Sequence, residues 1–282
     1  MIVFQTILSI SSMVIQNCLF NNVCKKELSE NSYIYYFNMI IYAICAVLLG
    51  VGIVGRHISV YTVILGILFG VVTALANLYK MLSLATGPMH ITLLITTSSM
   101  IIPTISGVFF GEDFSIAKLV CVLVLIYFIF VSFNKSKDHD INLKWIIFCF
   151  LAFMLQGSIG VIQKIHQSSV YKSEINGFLF VSFLCSLIYC RMVIGKDFGR
   201  FKLSAKYVVI AIICGICSYI MNVFNLKLSG LLPSQLFFPI VNGSTIVLSS
   251  IMSVLLFKEN FSKRQLVGLC GGIISLVAIC VV

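Results

Sequence analysis

Long apolar runs alternate with short polar connections along the whole chain. A helix needs about 20 apolar residues to cross the hydrocarbon core of a bilayer. Ten segments reach that length, and they cover residues 3–23, 33–54, 58–80, 87–110, 115–134, 143–165, 175–194, 205–228, 232–257 and 264–282. Open sheet edges cannot lie in lipid, because their backbone groups would lack hydrogen-bond partners. The pattern therefore predicts an all-α integral membrane protein with ten transmembrane helices, numbered here as segments 1 to 10.

The second half of the chain repeats the pattern of the first half. Five segments per half is an odd number, so the second copy must enter the membrane from the opposite side. We therefore predict two inverted five-helix repeats, residues 1–138 and 139–282, related by a pseudo-two-fold axis in the membrane plane. The polar stretch 134–142 marks the seam between them. The matching elements are Ala76-Asn77-Leu78-Tyr79-Lys80, Pro88 and Gly111-Glu112-Asp113-Phe114-Ser115 in the first half, and Met221-Asn222-Val223-Phe224-Asn225, Pro233 and Lys258-Glu259-Asn260-Phe261-Ser262 in the second.

Composition and charge narrow the class of protein further. Apolar residues make up 60% of the chain and charged residues 10%, with a mean hydropathy of +1.10, which excludes an ordinary soluble domain. The net charge of +10 comes from lysines and arginines scattered at segment ends, so lipid anchoring is expected and a nucleic-acid partner is not. Most of these residues follow the odd-numbered segments, and the positive-inside rule alone would place both termini outside.

Polar residues inside the apolar segments are the candidates for function, because lipid-facing positions tolerate few of them. They recur at helical spacings of three and four residues, whereas segments 5 and 10 are almost wholly apolar and are expected to be peripheral. Hydrogen bonding between helices is the alternative role for such residues. Gln16 with Gln156 and Asn77 with Asn222 occupy matching repeat positions, which favours a shared cavity. The predicted solute contacts are Gln16, Asn77, Thr96, Gln156, Tyr219, Asn222, Asn242 and Thr245.

Charged and titratable residues lie at the ends of the segments. All nine carboxylates do so, and none is available inside a span as a proton relay. Lys80 and Lys227 end segments 3 and 8, where they either reach the membrane interface or attract a carboxylate or phosphate on the solute. His90 is either a helix-end anchor or a group that titrates near neutral pH.

Prolines and glycines mark positions of unusual backbone. Pro103, Pro233 and Pro239 interrupt hydrogen bonding in or beside segments 4 and 9. A kink near Asn242 would serve either as a gating hinge or as a bend that improves packing. The Gly66–Gly70 and Gly268–Gly272 spacings allow close helix approach, and packing within one chain is favoured over dimerisation. We expect a monomer, with a homodimer as the alternative.

The chain as a whole resembles the EamA-type transporters of the drug/metabolite transporter superfamily. The resemblance lies in the ten-segment plan, the proline-led segments 4 and 9, and the Gly-Glu-x-Phe-Ser and Lys-Glu-x-Phe-Ser turns. It implies segments 1–4 and 6–9 around a central cavity in the bacterial cytoplasmic membrane. Glu112 and Glu259 match the acidic turn positions, for which we predict a structural role beside the N-termini of segments 5 and 10. Members usually place their termini in the cytoplasm, which conflicts with the charge pattern and leaves the side open.

The combined prediction is a transporter that works by alternating access between the repeats. Its cavity suits a small polar or zwitterionic metabolite, or a toxic small molecule, and we expect export without a cofactor or a metal. A lipid-linked sugar flippase and a nucleotide-sugar or organic-anion transporter of the same superfamily are alternatives. A lipid-modifying enzyme is disfavoured, because its chemistry would need clustered acids inside a span. A non-transporting membrane scaffold is also disfavoured.

Overall fold

The fold was obtained as a computed structural model that describes residues 1–26, 31–53, 55, 57–87, 89–113, 115–131, 142–195, 203–257 and 263–281. All regular structure within these ranges is helical. The helices are α1 (Ile2–Lys26), α2 (Asn31–Gly50), α3 (Val60–Thr86), α4 (Met89–Ser98), α5 (Ile101–Ser106), a 3₁₀ helix (Gly107–Phe110), α6 (Ile116–Val131), α7 (Leu143–Gln167), α8 (Ile175–Ile194), α9 (Ala205–Leu231), α10 (Ser234–Phe257) and α11 (Lys263–Val281).

Six helices are long and apolar enough to cross a membrane, so the protein is of the multi-pass membrane type. The spans are Ile2–Phe20, Tyr33–Gly50, Val60–Thr86, Leu143–Gln167, Ile175–Ile194 and Ala205–Leu231. Three shorter apolar helical stretches, Ile95–Phe110, Ile116–Phe128 and Leu266–Val281, accompany them. The predicted segments fall on the observed helices throughout, although the count of ten complete crossings is not established by helix length. The seam at 134–142 lies outside the described residues, apart from Asn142.

Segment 4 is a broken helix. Between α4 and α5 the backbone bonds shorten to the 3₁₀ pattern, with Ser99 N–H donating to Thr96 O (3.4 Å) and Met100 N–H donating to Thr97 O (3.1 Å). Pro103 follows within α5 and has no N–H to offer Ser99. The Thr96 hydroxyl donates to Thr92 O at 2.9 Å. The predicted interruption by Pro103 is therefore present, and it begins one turn before the proline.

Segment 9 does not show the opening that the sequence predicts near Asn242. The helix α10 continues from Ser234 to Phe257 with Pro239 inside it, so the chain does not open near Asn242. Pro239 is the sixth residue of α10, where its missing N–H deprives only the Gln235 carbonyl of a partner. The helix nevertheless continues through this position to Phe257.

Contacts between the helices run mainly from one half of the chain to the other. The helix α1 packs on α9 and α10, α3 packs on α7 and α8, and α2 packs on α8 and α9. The broken segment 4 packs on α7 and α10, and α6 packs on α11. Replacing each helix by its counterpart in the other half gives back the same set of contacts. Neither half therefore buries its apolar surface alone.

Glycines allow α3 to approach α8 closely. A Cβ on Gly70 would lie 2.3 Å from the Ser182 carbonyl oxygen, and one on Gly66 would lie 3.1 Å from the Phe178 carbonyl oxygen. The Ser186 hydroxyl donates to Gly70 O at 2.7 Å across the same interface. Packing within the chain, as predicted for Gly66 and Gly70, is confirmed. For the second pair, a Cβ on Gly272 would meet only Leu125, at 3.7 Å.

We expect Gly70→Ala to destabilise the protein by about 1–3 kcal/mol, because the new methyl group would force the α3 and α8 backbones apart. Gly272→Ala is the matched control. It adds a methyl group at ordinary contact distance and gains helix propensity, so it should be neutral or slightly stabilising. Thermal unfolding of both variants in detergent measures the difference. Equal unfolding temperatures for the two variants would contradict the close contact.

Candidate functional site

An internal cavity of about 110 Å³ lies between the two halves. Such a volume holds several water molecules or a small solute. Helices α1, α3, α4, α5, α7, α9 and α10 form its wall, and α8 contributes Phe183. Among the described residues α2, α6 and α11 contribute none, so the predicted place of segment 2 at the cavity is not observed. The polar residues in the wall are Gln16, Asn17, Thr73, Asn77, Lys80, Thr96, Thr97, Ser99, Gln156, Gln163, Ser218, Asn222, Asn225 and Asn242.

The predicted solute contacts are mostly found in this wall. The cavity brings together Gln16, Asn77, Thr96, Gln156, Asn222 and Asn242. Tyr219 instead packs against the main apolar core. Thr245 is fully buried, and its hydroxyl donates to Val241 O at 2.7 Å, so it satisfies its own helix.

Lys80 provides the positive charge of the cavity wall. Because α3 continues to Thr86, Lys80 lies well inside the helix and not at its end, which corrects the prediction from segment length. Its Nζ donates to Asn17 Oδ1 at 2.7 Å and lies 5.8 Å from the centre of the Phe20 ring. Asn17 is in turn held by Ser249, whose Oγ lies 3.5 Å from its Nδ2. A neutral amide thus positions the ammonium group.

The glutamine pair is hydrogen-bonded on one side of the cavity only. Gln16 Nε2 donates to Ser218 Oγ at 2.5 Å and approaches Cys214 O at 3.5 Å. Gln156 lines the cavity without a hydrogen bond to any described residue. Thr73 also lines the cavity, and its buried hydroxyl has no partner within the described part of the chain. The side of the cavity formed by Thr73 of α3 and Gln156 of α7 therefore holds unused hydrogen-bonding capacity.

The asparagines of the wall are held by groups nearby. Asn77 Nδ2 donates to the Tyr42 hydroxyl at 2.9 Å, and Asn222 Nδ2 donates to Ser218 O at 2.9 Å. Asn242 Nδ2 donates to Phe238 O at 3.0 Å. In each case the amide nitrogen is engaged within the protein. The bound nitrogens fix the side chains and leave the amide oxygens as acceptors for a solute.

The remaining predicted residues have different outcomes. Lys227 lies outside the cavity wall, near the end of α9. The side chain of His90 and all of Glu259 lie outside the described residues. Apart from Lys80, the polar wall residues that are not among the predicted solute contacts are Asn17, Thr73, Thr97, Ser99, Gln163, Ser218 and Asn225. Asn17 sits about 100° around α1 from the polar face that ends at Gln16, and its only signal in the sequence is an amide inside an apolar span.

At one end of the bundle, Glu112 joins three helices. Its carboxylate forms an ion pair with Lys164 in the last turns of α7 and accepts a hydrogen bond from Ser234 N–H at 2.7 Å, at the start of α10. Lys164 Nζ also donates to Ser229 O at 2.9 Å, near the end of α9. Both side chains are largely buried, with 16% of Glu112 and 9% of Lys164 exposed. Glu112 of the first half is thereby connected to α7, α9 and α10 of the second half.

This arrangement corrects the role predicted for Glu112. The sequence analysis placed its carboxylate beside the N-terminus of segment 5, which is α6. Ser115 already serves that end, since its Oγ accepts from Lys118 N–H at 3.3 Å. Gly111, with φ of +71°, reverses the chain after the 3₁₀ helix, and the Glu112 carboxylate lies against α10 instead. Glu112 therefore does accept a hydrogen bond at a helix N-terminus, but that helix is α10 in the second half and not α6 in the first.

A second carboxylate cluster lies at the same end, beyond the C-terminus of α7. Glu174 Oε2 accepts hydrogen bonds from Ser59 N–H at 3.0 Å and from the Ser59 hydroxyl at 2.8 Å. Burial raises the pKa of Glu174, but hydrogen bonds from Thr62 and Ser59 outweigh it and hold the pKa below its ordinary value. This cluster ties the start of α3 to the start of α8.

The chemistry of the cavity wall favours binding over catalysis. Among its described residues it offers amides, hydroxyls and the Lys80 ammonium group, with no Asp or Glu. Such a wall can orient a polar solute by hydrogen bonds, and Phe237 and Phe238 add an apolar surface. It lacks a paired acid and base positioned for proton transfer.

Comparison with known proteins supports the fold. The chain is similar to a protein of known crystal structure, with a TM-score of 0.73 and 11% sequence identity, covering 98% of this chain and 96% of that chain. The similarity extends over nearly the whole of both chains, and at this identity it shows the shared fold alone. No family model matches the sequence, and no curated protein matches it.

We expect Glu112→Gln to cost about 3 kcal/mol or more of stability, because it leaves the Lys164 charge largely buried without its counter-ion. Lys164→Met should cost a similar amount. The double variant should recover much of the loss, since neither charge is then left alone. Thermal unfolding of all four proteins in detergent gives the coupling. Losses that simply add would show that the ion pair contributes no coupling.

We expect Glu174→Gln to destabilise the protein at neutral pH and to lose this effect in acid. The pKa of Glu174 is lower in the folded than in the unfolded state, so its stabilisation is complete above the unfolded pKa of about 4.3. That stabilisation disappears as the pH falls through the folded pKa. Unfolding temperatures measured from pH 7 downward should therefore begin to converge for wild type and variant below the unfolded pKa of about 4.3, and should coincide below the folded pKa. Asp113→Asn, which removes an exposed carboxylate, controls for net charge, and a difference that grows in acid would contradict the assignment.

Proposed function

We propose that the protein is a transporter that moves a small polar or zwitterionic metabolite, or a toxic small molecule, across the cytoplasmic membrane. The observation that carries this proposal is the polar cavity between the halves of an otherwise apolar helical protein. Fourteen polar side chains converge on it from both halves. Polar groups inside a membrane protein are costly and gather where a solute or ion passes. Export is the direction we favour.

The proposed mechanism is alternating access between two inverted repeats, residues 1–138 and 139–282. Two observations support the repeats. The helix contacts are preserved when the halves are exchanged. In addition, Asn77 and Asn222, which occupy matching positions in the duplicated motif, both face the cavity. Transporters with inverted repeats bind their solute at the repeat interface and rock one repeat against the other.

The structure offers a physical basis for such rocking. The Glu112–Lys164 pair and the Glu174–Ser59 cluster join helices of opposite halves at the same end of the bundle. A rocking motion that opens this end must separate them. The break in segment 4 places Thr96 and Ser99 in the cavity wall, and transporters commonly place interrupted helices at the solute site.

The resemblance to EamA-type transporters agrees with this proposal, because it implies the same central cavity and the same peripheral pair of helices. It also supplies the cytoplasmic membrane as the location. We propose that the chain acts as a monomer without a cofactor. A membrane scaffold or an enzyme is less well supported, because a scaffold needs no polar cavity and the described wall contains no Asp or Glu for proton transfer.

The test is solute-dependent stabilisation followed by flux. The purified protein is screened against small metabolites for a rise in unfolding temperature, and the solutes that stabilise it are followed in proteoliposomes. We expect Asn77→Ala and Asn222→Ala to lower the flux about tenfold, as each removes a hydrogen-bonding group of the site. Asn38→Ala is the matched control, because Asn38 is a buried amide outside the cavity wall.

Three outcomes decide the matter. Stabilisation and flux that both fall in the two cavity variants, but not in Asn38→Ala, support transport through this cavity. Stabilisation without flux in the wild type would show a binding protein and would refute transport. Flux that is unchanged in both cavity variants would show that the two asparagines only join helices.

A further inference from the structure

The two sides of the cavity differ in how far their polar groups are satisfied. Under the proposed repeats, Gln156 and Thr73 of one side correspond to Gln16 and Ser218 of the other. Gln16 and Ser218 are hydrogen-bonded to each other. Thr73 is buried and has no hydrogen-bond partner among the described residues, and Gln156 bonds to none of them. A buried hydroxyl without a partner costs about 1–3 kcal/mol, so a ligand or ordered water is expected there.

The charged groups of the cavity also differ between the two repeats. Lys80 corresponds to Asn225 in the duplicated motif, so one repeat carries an ammonium group where the other carries an amide. Asn225 accepts a hydrogen bond from Ser9 at 2.6 Å, and Lys80 donates to Asn17. Both contacts reach α1. The Lys80 side chain is thus held in the cavity wall by the neutral amide of Asn17.

Lys80 and Thr73 lie on one face of α3, seven residues apart and separated by Asn77. Seven residues rise by about 10 Å along a helix. Side chains of a helix lean toward its N-terminus, which brings the Lys80 ammonium group back toward Thr73. A solute can therefore touch both groups with a reach of about 10 Å or less.

We infer that Lys80, Thr73 and Gln156 form an anion subsite, and that the transported solute carries a carboxylate or phosphate group. The inference rests on the proposed transport function and names its substrate class. The anionic group meets Lys80, and hydroxyl or amide groups of the same solute meet Thr73 and Gln156. Because the described wall contains no Asp or Glu, a purely cationic solute finds no counter-charge there. This places small organic anions and zwitterions ahead of cations.

The experiment uses matched probes on the full-length protein in detergent. The carboxylates acetate, glycolate, L-lactate and L-serine are compared with acetamide, glycolamide, L-lactamide and L-serinamide, at equal ionic strength. Glycerol 3-phosphate carries a phosphate and hydroxyl groups but no carboxylate, so its comparison with glycolate and L-lactate separates a phosphate from a carboxylate preference. The readout is the unfolding temperature as a function of probe concentration, from which an apparent Kd is obtained.

The two test variants are Lys80→Gln and Thr73→Val. The control is Lys206→Gln, which removes an equal charge at an exposed position on α9. We expect Lys80→Gln to weaken the anionic probes about tenfold to a hundredfold and to leave the amides unchanged. Lys206→Gln should leave both classes unchanged. Thr73→Val should raise the unfolding temperature without probe by about 2–4 °C, because it removes an unsatisfied hydroxyl, and should weaken probe binding. Thr73→Val keeps the test decisive if Lys80→Gln fails to fold.

The outcomes separate this inference from the transport proposal. If anionic probes stabilise the wild type and lose affinity in Lys80→Gln or in Thr73→Val, the subsite is supported, whether or not proteoliposomes show flux. If no anionic probe stabilises the wild type more than its amide does, the subsite is overturned, even where a neutral solute is transported. Equal loss in Lys80→Gln and Lys206→Gln would also overturn it. Absence of flux for bound probes would refute transport alone.

Discussion

The structure depends on one constraint, which is that polar groups inside an apolar bundle must find partners within the protein or within its cavity. Hydroxyls meet it locally: Ser182 and Thr96 donate to carbonyls of their own helices. Longer amides must reach another helix, as Gln16 does to Ser218. Five described side chains keep a buried atom without a partner, namely Gln5, Asn38, Thr73, His166 and Ser234. Among these five, Thr73 alone lines the cavity between the halves, where a ligand can reach it.

The same constraint explains how the charges at one end are buried. Glu112 and Lys164 neutralise each other, and their remaining hydrogen-bonding capacity is directed to helix ends, where backbone groups lack partners within the helix. The Glu112 carboxylate meets the amide of Ser234 at the start of α10, and Lys164 meets the carbonyl of Ser229 near the end of α9. Charge and helix dipole agree at both contacts. An ion pair that is weak on a surface becomes a strong connection between halves because its desolvation is compensated by backbone partners.

The sequence predicted the helices and much of the cavity wall because both depend on local pattern. Membrane-length apolar runs fix the segments, and a spacing of three to four residues places Gln16, Asn77 and Asn222 on inward faces. Pairing across long separations has no local signal, so the Glu112–Lys164 contact was not predicted. The length of segment 3 also misplaced Lys80, because a lysine near the end of an apolar run predicts the end of the helix. In the structure α3 continues to Thr86. Segment 4 divides into α4 and α5 just ahead of Pro103, whereas α10 continues through Pro239, so a proline inside an apolar run does not by itself predict a break.

A duplicated chain begins with two equal halves. The positions at which the two halves have different residues are those that can recognise a specific solute. A symmetric cavity would present the same groups to both ends of a solute and could not fix its orientation. Two of these departures concern the proposed subsite: Lys80 stands where the other repeat has Asn225, and Thr73 with Gln156 lacks the hydrogen bond that joins Ser218 with Gln16. Asn77 and Asn222 remain a matched pair of amides in the wall. Under the proposed transport mechanism, an oriented site within a near-symmetric frame would let the halves exchange roles during rocking while the solute is held by one end.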